Sequence, residues 1–252
     1  MAEPARLLIL GGTGEAVALA HRLRDKENLR VITALAGRTR RPAAVPGEVR
    51  RGGFGGASGL ARYLEEQSIG LVIDATHPFA ATISRNAADA CAAAGAARLL
   101  LARPPWHPRV DDRWINVPDG AAAAAVLPEL GRRIFLSIGR QSLGCFAGCA
   151  NLWFLVRMID QPDGPLPLDN AEVILGRGPF PVEDELMLLK DYGIAVLVTR
   201  NSGGLATFGK VEAARRLGLP VVMIDRPAVP QGACARGVDD AVAWVEEILA
   251  PR

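Results

Sequence analysis

Short apolar runs alternate with segments of helical periodicity along the whole chain. In the first half, the apolar runs predict strands at residues 7–10, 30–35, 71–74 and 98–102, and the intervening segments predict helices at residues 15–24, 59–67 and 84–94. Two alanine-rich tracts, residues 92–97 and 121–125, are interpreted as closely packed helix surface because alanine is the best helix former. Strands that alternate with crossover helices predict an α/β fold with mostly parallel sheets.

A second series of elements begins after the turn-rich segment at residues 128–132. It predicts strands at residues 133–138, 152–158, 173–175, 194–199 and 221–224, and helices at residues 182–191, 205–217 and 238–249. A chain of 252 residues is long enough for two small domains. We therefore predict two Rossmann-like or flavodoxin-like domains, residues 1–130 and 131–252, with a ligand cleft between them.

The first junction between a strand and a helix carries a glycine-rich loop, Gly11-Gly12-Thr13-Gly14-Glu15. Such a loop presents bare backbone N–H groups and a helix N-terminus to a pyrophosphate, so it predicts a nucleotide site. A dinucleotide fingerprint has glycine or alanine where this chain has Val17, and a simple tight turn is the alternative. A carboxylate beside a pyrophosphate is repulsive, so we expect Glu15 to face a hydroxyl or a backbone donor.

The end of the second predicted strand indicates which nucleotide binds. A fold that binds NAD(H) places an acidic residue there to hold the ribose hydroxyl, whereas this chain has Gly37-Arg38-Thr39-Arg40-Arg41. Arg38 can donate a planar fork of hydrogen bonds to a ribose phosphate, and Thr39 adds a hydroxyl. The sequence therefore favours NADP(H), and a solvated basic loop is the alternative interpretation.

Composition and charge exclude several classes of protein. The 29 basic and 27 acidic residues give a net charge of +2, which does not support a nucleic-acid partner. The four cysteines have no zinc-type spacing, so we expect free thiols and no metal site. There is no apolar leader and no apolar run of membrane-spanning length, so we expect a cytoplasmic protein with no membrane partner.

Polar or glycine-rich turns also follow three other predicted strands. They are Asp74-Ala75-Thr76-His77-Pro78-Phe79-Ala80, Gly139-Arg140-Gln141 and Thr199-Arg200-Asn201-Ser202-Gly203-Gly204. Open parallel sheets bind ligands outside the carboxyl ends of their strands, so these turns are candidate binding segments. The last turn repeats the small residues and donors of the first loop before a predicted helix, and we expect a second anion-binding position there.

The first glycine-rich loop and these three turns belong to a larger set of motifs, with Arg103-Pro104-Pro105-Trp106, Arg177-Gly178-Pro179-Phe180 and the segment 218–224. Together the motifs resemble the precorrin-6A reductase family of cobalamin biosynthesis. The resemblance extends from Leu7 to Pro227, and its specificity lies in the order and spacing of the motifs. The family often has lysine where this chain has Arg200, a change that keeps the charge. The resemblance implies NADPH-dependent reduction of a double bond in the precorrin-6A macrocycle, giving the dihydro product precorrin-6B.

The glycine-rich loop, the residues at strand ends and the resemblance together indicate which residues contact each ligand. The N-terminal domain would bind NADPH through Gly11, Gly12, Thr13, Gly14, Glu15, Arg38, Thr39 and Thr76. The macrocycle is flat and fringed with carboxylates, so it needs several Arg or Lys donors around a broad cleft to which the C-terminal domain contributes. Its expected contacts are His77, Pro78, Phe79, Arg140, Gln141, Arg177, Arg200, Asn201, Ser202, Gly203, Gly204 and Lys210. Ordinary surface arginines are the alternative, and we expect the two glycine-rich loops to face one another across the domain interface.

His77 is the candidate proton donor, because it is the one histidine in a motif at a strand end. The alternative, which we favour, is that His77 holds the turn at Pro78 and that solvent or a substrate carboxyl supplies the proton. Asp74 is expected to cap the following turn.

Two other functions stay open at the level of sequence. One is a reductase for cobalt-precorrin-6A or another carboxylate-rich substrate. The other is a non-catalytic NADP(H)-sensing protein, which would not need the segment Arg177-Gly178-Pro179-Phe180. Beyond the tetrapyrrole substrate, the resemblance allows neighbouring pathway enzymes as partners that hand over substrate.

Overall fold

The structure is a computed structural model that describes residues 3–37 and 44–250. The predicted cofactor residues Arg38 and Thr39 lie outside the described residues. No helix in the described ranges is long and apolar enough to cross a membrane.

The described elements alternate as the apolar pattern predicts. In chain order they are β1 (Ala5–Leu10), α1 (Gly14–Leu23), β2 (Leu29–Leu35), β3 (Glu48–Arg51), α2 (Gly56–Glu66), β4 (Leu71–Asp74), α3 (Ala81–Ala94), β5 (Ala97–Leu101), β6 (Trp114–Val117), α4 (Gly120–Leu130), β7 (Arg133–Ser137), a 3₁₀ helix (Arg140–Phe146), β8 (Trp153–Met158), β9 (Ala171–Leu175), α5 (Val182–Asp191), β10 (Val196–Arg200), α6 (Gly209–Arg216), β11 (Val221–Ile224), β12 (Ala233–Ala235) and α7 (Val238–Leu249).

These elements form two compact units. The first unit consists of Met1–Pro104 and Pro227–Arg252, and the second of Pro105–Arg226. The first sheet has the strand order β12-β5-β4-β1-β2-β3, and the second has the order β6-β11-β10-β7-β8-β9. Every strand pair in both sheets is parallel, which confirms the predicted α/β class.

Each sheet reverses its direction of growth at one place. In the first unit the chain runs from β1 to β2 and β3 on one side, and then continues from β4 on the other side of β1. In the second unit β7 takes the place of β1, and β10 takes the place of β4. Loops at the carboxyl ends of the two strands on either side of such a reversal diverge, and the crevice they leave is where open α/β sheets bind ligands.

The first sheet is covered on both faces. Leu7 and Ile9 of β1 belong to a core that includes α1 and α7, whereas Leu8 and Leu10 belong to a core with α2 and α3. All four side chains are at most 2% exposed. A strand buried on both faces has no reason to alternate polar and apolar residues, which explains its continuous apolar run.

The central strands of the second sheet are also buried on both faces, because residues 134–136 of β7 and 196–199 of β10 are buried at consecutive positions. Phe135, Leu155, Leu197 and Met223, one from each of four neighbouring strands, share a core with Val211 of α6. This core and those of the first unit account for the strands that the sequence predicts.

The predicted boundary at residue 130 differs from the observed division. β6 and α4 precede that boundary but belong to the second unit, and β12 with α7 returns to the first unit. Three strands were missed, namely β3, β6 and β12, because none of them is a fully buried apolar run. The helix predicted at residues 205–217 begins only at Gly209, so a loop separates it from the end of β10.

A test of the observed boundary compares two fragments. The fragment 105–226 contains every strand of the second sheet, so it should unfold cooperatively on heating, as followed by circular dichroism. The fragment 131–252 lacks β6 and α4 and carries β12 and α7 without their sheet, so it should show no cooperative transition. The reverse result would restore the boundary at residue 130.

Candidate active site

The loop after β1 leaves a row of backbone N–H groups open. The Gly11 N–H donates to Ala34 O at 2.9 Å, so it is already used. The N–H groups of Gly12, Thr13 and Gly14 have no hydrogen-bond acceptor among the described residues. Gly12 adopts a φ of 118°, a conformation that side chains rarely allow. These groups lie at the N-terminus of α1, the kind of position at which backbone N–H groups and the helix dipole favour an anion.

The Thr13 hydroxyl holds this loop in place. It accepts a hydrogen bond from the Ala16 N–H at 3.2 Å, which caps α1, and it donates to Ala75 O at 2.7 Å. The second bond joins the loop after β1 to the loop after β4, on either side of the point where the sheet reverses. With its one hydrogen committed to Ala75, the hydroxyl has none left for a phosphate, so contacts to a phosphate fall to the backbone.

Glu15 is neutralised by an arginine. One terminal nitrogen of Arg103 donates to both carboxylate oxygens, at 2.9 and 2.7 Å. Burial opposes ionisation of this carboxyl, but hydrogen bonds from Arg103 and from the Glu15 N–H outweigh it, so the pKa of Glu15 is lowered. The expected backbone donor is present, because the Glu15 N–H contributes, but the strongest donor is a guanidinium supplied from beyond β5.

The turn after β4 is built on Asp74. Its side chain is fully buried, and its Oδ1 accepts from the Thr76 N–H at 3.1 Å and from the Thr76 hydroxyl at 2.6 Å. This confirms that Asp74 caps the turn. Since the Thr76 hydroxyl gives its hydrogen to Asp74, it faces a ligand only as an acceptor, suited to a carboxamide or a ribose hydroxyl.

His77 takes part in the same turn. Its Nδ1 accepts from the Phe79 N–H at 3.2 Å, and its carbonyl accepts from the Ala80 N–H at 2.7 Å. An imidazole that accepts at Nδ1 carries its proton on Nε2 when neutral. Pro78 and Phe79 lie half-buried in this turn.

The three arginines that are predicted to contact substrate lie at or just beyond the carboxyl ends of strands in the second unit. Arg140 follows β7 and pairs with Asp163 at 3.2 Å, and both side chains are exposed. Arg200 ends β10 and donates to the Ser142 hydroxyl. Arg177 follows β9, is exposed, and has no hydrogen-bond or ion-pair partner among the described residues. Gln141 lies exposed in the 3₁₀ helix beside Arg140.

The loop after β10 differs from the loop after β1. The Asn201 N–H donates to Ile224 O at 2.9 Å and the Ser202 N–H to Arg200 O at 2.7 Å, so two backbone donors are used. Gly203 and Gly204 both adopt positive φ, at 67° and 75°. The loop therefore offers fewer donors than we expected, and it does not lead directly into α6.

Trp106 clamps this loop from the start of the second unit. Its N–H donates to the Asn201 side-chain oxygen at 2.8 Å, and its carbonyl accepts from the Asn201 amide nitrogen at 3.0 Å. The indole N–H donates to Gly204 O at 2.8 Å. The Asn201 side chain is thus occupied within the protein, which argues for a structural role.

Lys210 is buried, contrary to its expected place among accessible donors. Lys210 is only 4% exposed, and its ammonium donates to Thr207 O at 2.6 Å. Burial lowers the pKa of Lys210 to about 7, while the attraction of Glu185 opposes this shift and repulsion from Arg157 adds to it. Arg157 and Glu185 themselves form an ion pair at 2.5 Å, with side chains 10% and 1% exposed.

The sequence did not predict the contacts that several residues make. Arg103 and Trp106 stand in a motif that the resemblance includes, but nothing local indicates that they hold the loops after β1 and β10. Arg157 lies in β8, and the apolar pattern of that strand does not distinguish it from an ordinary exposed arginine. Its guanidinium lies 4.0 Å from the centre of the Phe180 ring, which gives the segment before α5 a packing role.

A family model described as precorrin-6x reductase CbiJ/CobK matches residues 6–246. The chain belongs to this family.

Individual members of the family match over nearly their full length. A precorrin-6A reductase from Rhodococcus erythropolis is 51% identical, covering 95% of this chain and 97% of the relative. One from Rhodobacter capsulatus is 46% identical over 96% of both chains. A solved structure named CobK precorrin-6A reductase aligns with a TM-score of 0.92 at 45% identity, over 98% of both chains. These matches confirm the predicted family and the α/β fold.

The buried Lys210 predicts a pH dependence of stability. Its pKa is about 7 in the fold against an ordinary value of 10.5, so between these values the unfolded chain binds more protons than the folded one. Stability therefore rises with pH in that window, and the free energy of unfolding of the parent relative to Lys210→Met should increase from pH 7 to pH 10. Urea titrations at a series of pH values measure it. The exposed Lys190 provides a matched control as Lys190→Met, and a pH-independent difference for Lys210→Met would contradict the prediction.

Proposed function

We propose that this protein catalyses the NADPH-dependent reduction of a carbon–carbon double bond in precorrin-6A, giving precorrin-6B in cobalamin biosynthesis. The observation that carries the proposal is the row of open N–H groups at Gly12, Thr13 and Gly14, at the reversal point of the first sheet, in a member of the precorrin-6x reductase family. Membership in a family of reductases also favours an enzyme over an NADP(H)-sensing protein.

The identity of the relatives favours precorrin-6A over its cobalt form. Five relatives named precorrin-6A reductase are 44–51% identical to this chain. Relatives named cobalt-precorrin-6A reductase, such as that from Priestia megaterium, are 29% identical or less. We therefore assign this chain to the first substrate.

The first unit fits a dinucleotide at the loop after β1. The open N–H groups would hold the pyrophosphate, and the Thr76 hydroxyl would accept from the nicotinamide side of the cofactor. In sequence, Arg38 and Thr39 come shortly after β2, where dinucleotide-binding folds carry the residue that recognises the ribose, and residues 37–41 include no acidic residue. When bound, NADPH supplies the hydride.

The second unit supports binding of a substrate rich in carboxylates. Arg140, Arg177 and Arg200 lie at the carboxyl edge of one sheet, and Arg177 is exposed with no partner among the described residues. Guanidinium groups bind carboxylates with two parallel hydrogen bonds, so these three are the proposed contacts for the acetate and propionate groups. Lys210 would act through the loop it holds, since its ammonium is already bonded to Thr207.

Reduction of a double bond also requires a proton. The Nδ1 atom of His77 holds the Phe79 N–H, which supports a role in the turn. We propose that solvent or a substrate carboxyl delivers the proton and that His77 keeps the turn in shape.

The proposal predicts a specific preference for the phosphorylated cofactor. In anaerobic assays with precorrin-6A, the protein should oxidise NADPH in step with loss of the substrate chromophore, and it should use NADH poorly. Arg38→Ala should narrow this preference by about ten- to a hundred-fold, which corresponds to about 1.5–3 kcal/mol for one charge-assisted contact. Absorbance spectroscopy follows both the cofactor and the ring.

Arg24→Ala is the control for loss of an exposed arginine, since Arg24 pairs with its neighbour Asp25 at 3.0 Å. If Arg38→Ala discriminates between the cofactors as strongly as the parent, another residue recognises the phosphate. If neither cofactor is oxidised in the presence of precorrin-6A, the proposed function is wrong.

The turn role of His77 has its own test. His77→Asn should keep turnover within about ten-fold of the parent, because general acid catalysis typically contributes at least a hundred-fold and is not expected here. The measurement is the dependence of kcat on pH. Loss of a titration near neutrality, with a drop of a hundred-fold or more in a folded variant, would identify His77 as the acid.

A further inference from the structure

A carboxylate directly after the open N–H groups of the loop after β1 should weaken anion binding there. Glu15 is the second residue of α1, directly after the three open N–H groups. A carboxylate in the first turn stabilises the helix itself, but it repels a bound pyrophosphate and competes for the same positive end of the helix dipole. Because the pKa of Glu15 is lowered, protonation at neutral pH does not remove this charge.

Arg103 removes the charge instead. It lies just beyond β5, and β5 is separated from β1 by β4, so its side chain spans the carboxyl edge of the sheet to reach Glu15. Both carboxylate oxygens accept from one terminal nitrogen, at 2.9 and 2.7 Å. The side chains of Arg103 and Glu15 are only 19% and 29% exposed, so water screens the pair less than it screens a surface pair.

We propose that Arg103 is a positioning residue whose charge neutralises Glu15 and thereby allows the loop after β1 to accept the pyrophosphate of a nicotinamide dinucleotide. This inference rests on the proposed function, which places that cofactor at the loop. Arg103 would thus raise the affinity for the cofactor without contacting it.

A purely mechanical role for the pair makes a different prediction. If Arg103 only braces the loop after β1 against the end of β5, then losing either partner weakens binding, and losing both gives no recovery. If Arg103 neutralises Glu15, then removing the carboxylate restores binding in the absence of the arginine. A double-mutant cycle separates the two roles.

The experiment measures NADPH dissociation constants for the full-length protein by titration of the nicotinamide fluorescence. Arg103→Gln should raise the dissociation constant about five- to ten-fold, the effect of one uncompensated charge near a partly exposed anion site. Glu15→Gln should bind NADPH at least as tightly as the parent. The double variant Glu15→Gln with Arg103→Gln should return to within about three-fold of the parent.

Ionic strength provides an independent readout. The loss caused by Arg103→Gln should shrink as salt is raised, because it comes from charge repulsion. Lys26→Gln is the matched control, since Lys26 pairs with Glu246 at 2.6 Å but lies between α1 and β2, at the opposite edge of the sheet. It should leave the dissociation constant unchanged. If Arg103→Gln does not fold, Arg103→Met takes its place in the experiment, because methionine keeps most of the apolar stem of the arginine.

Three results would overturn the inference. They are an unchanged dissociation constant in folded Arg103→Gln, a double variant as weak as Arg103→Gln, and a loss that does not depend on salt. If the parent itself does not bind NADPH, the proposed function fails and the inference fails with it. In the first three cases the parent binds the cofactor, so the proposed function stands while the role of Arg103 is rejected.

Discussion

The hydrogen bond from the Thr13 hydroxyl to Ala75 O, at 2.7 Å, joins the two loops on which the candidate cofactor site depends. The strands before these loops pair in parallel, and the chain grows away from them in opposite directions, so their following loops would otherwise diverge. Using the hydroxyl in this way leaves the phosphate contacts to backbone N–H groups. A backbone donor has a fixed direction, which suits a ligand that must be held in one orientation.

The two units share a strand order and differ in what they do with it. At the reversal point of the first sheet, the N–H groups of Gly12, Thr13 and Gly14 have no acceptor within residues 3–37 and 44–250. At the reversal point of the second sheet, the loop after β10 takes the place of the loop after β4. Its Asn201 and Ser202 N–H groups donate within the protein, and the Asn201 side chain is hydrogen-bonded to the Trp106 backbone. The loop after β1 thus keeps backbone donors available, whereas the loop after β10 is held by bonds within the protein, and the arginines of the second unit supply its positive charge.

The ionisation of Glu15 and Lys210 depends on burial and on the charged groups beside them. Glu15 stays ionised because Arg103 compensates for burial, whereas Lys210 has its pKa lowered because burial outweighs the attraction of Glu185. Breaking a buried ion pair is costly, because it leaves one charge without compensation. We therefore expect the stability of the region around the loop after β10 to be sensitive to substitution and to pH. The groups responsible are the Arg157–Glu185 ion pair and the Lys210 ammonium.

The sequence alone determined the α/β class, most of the central strands and the glycine-rich loop. Its apolar runs are continuous because the central strands are buried on both faces, as Leu7 to Leu10 illustrate. The same reasoning also predicted that Asp74 caps its turn, because the interacting residues are neighbours in the chain. Local signals of this kind survive in a single sequence.

Only the tertiary structure decided the division into units, the pairing of Glu15 with Arg103 and the burial of Lys210. β12 joins the first sheet beside β5, far from it in sequence, and an edge strand of three residues carries no apolar signature. Arg103 and Glu15 are 88 residues apart, and nothing near either one indicates the other. Whether a lysine reaches solvent or Thr207 depends on what packs over it, and packing is a property of the folded chain.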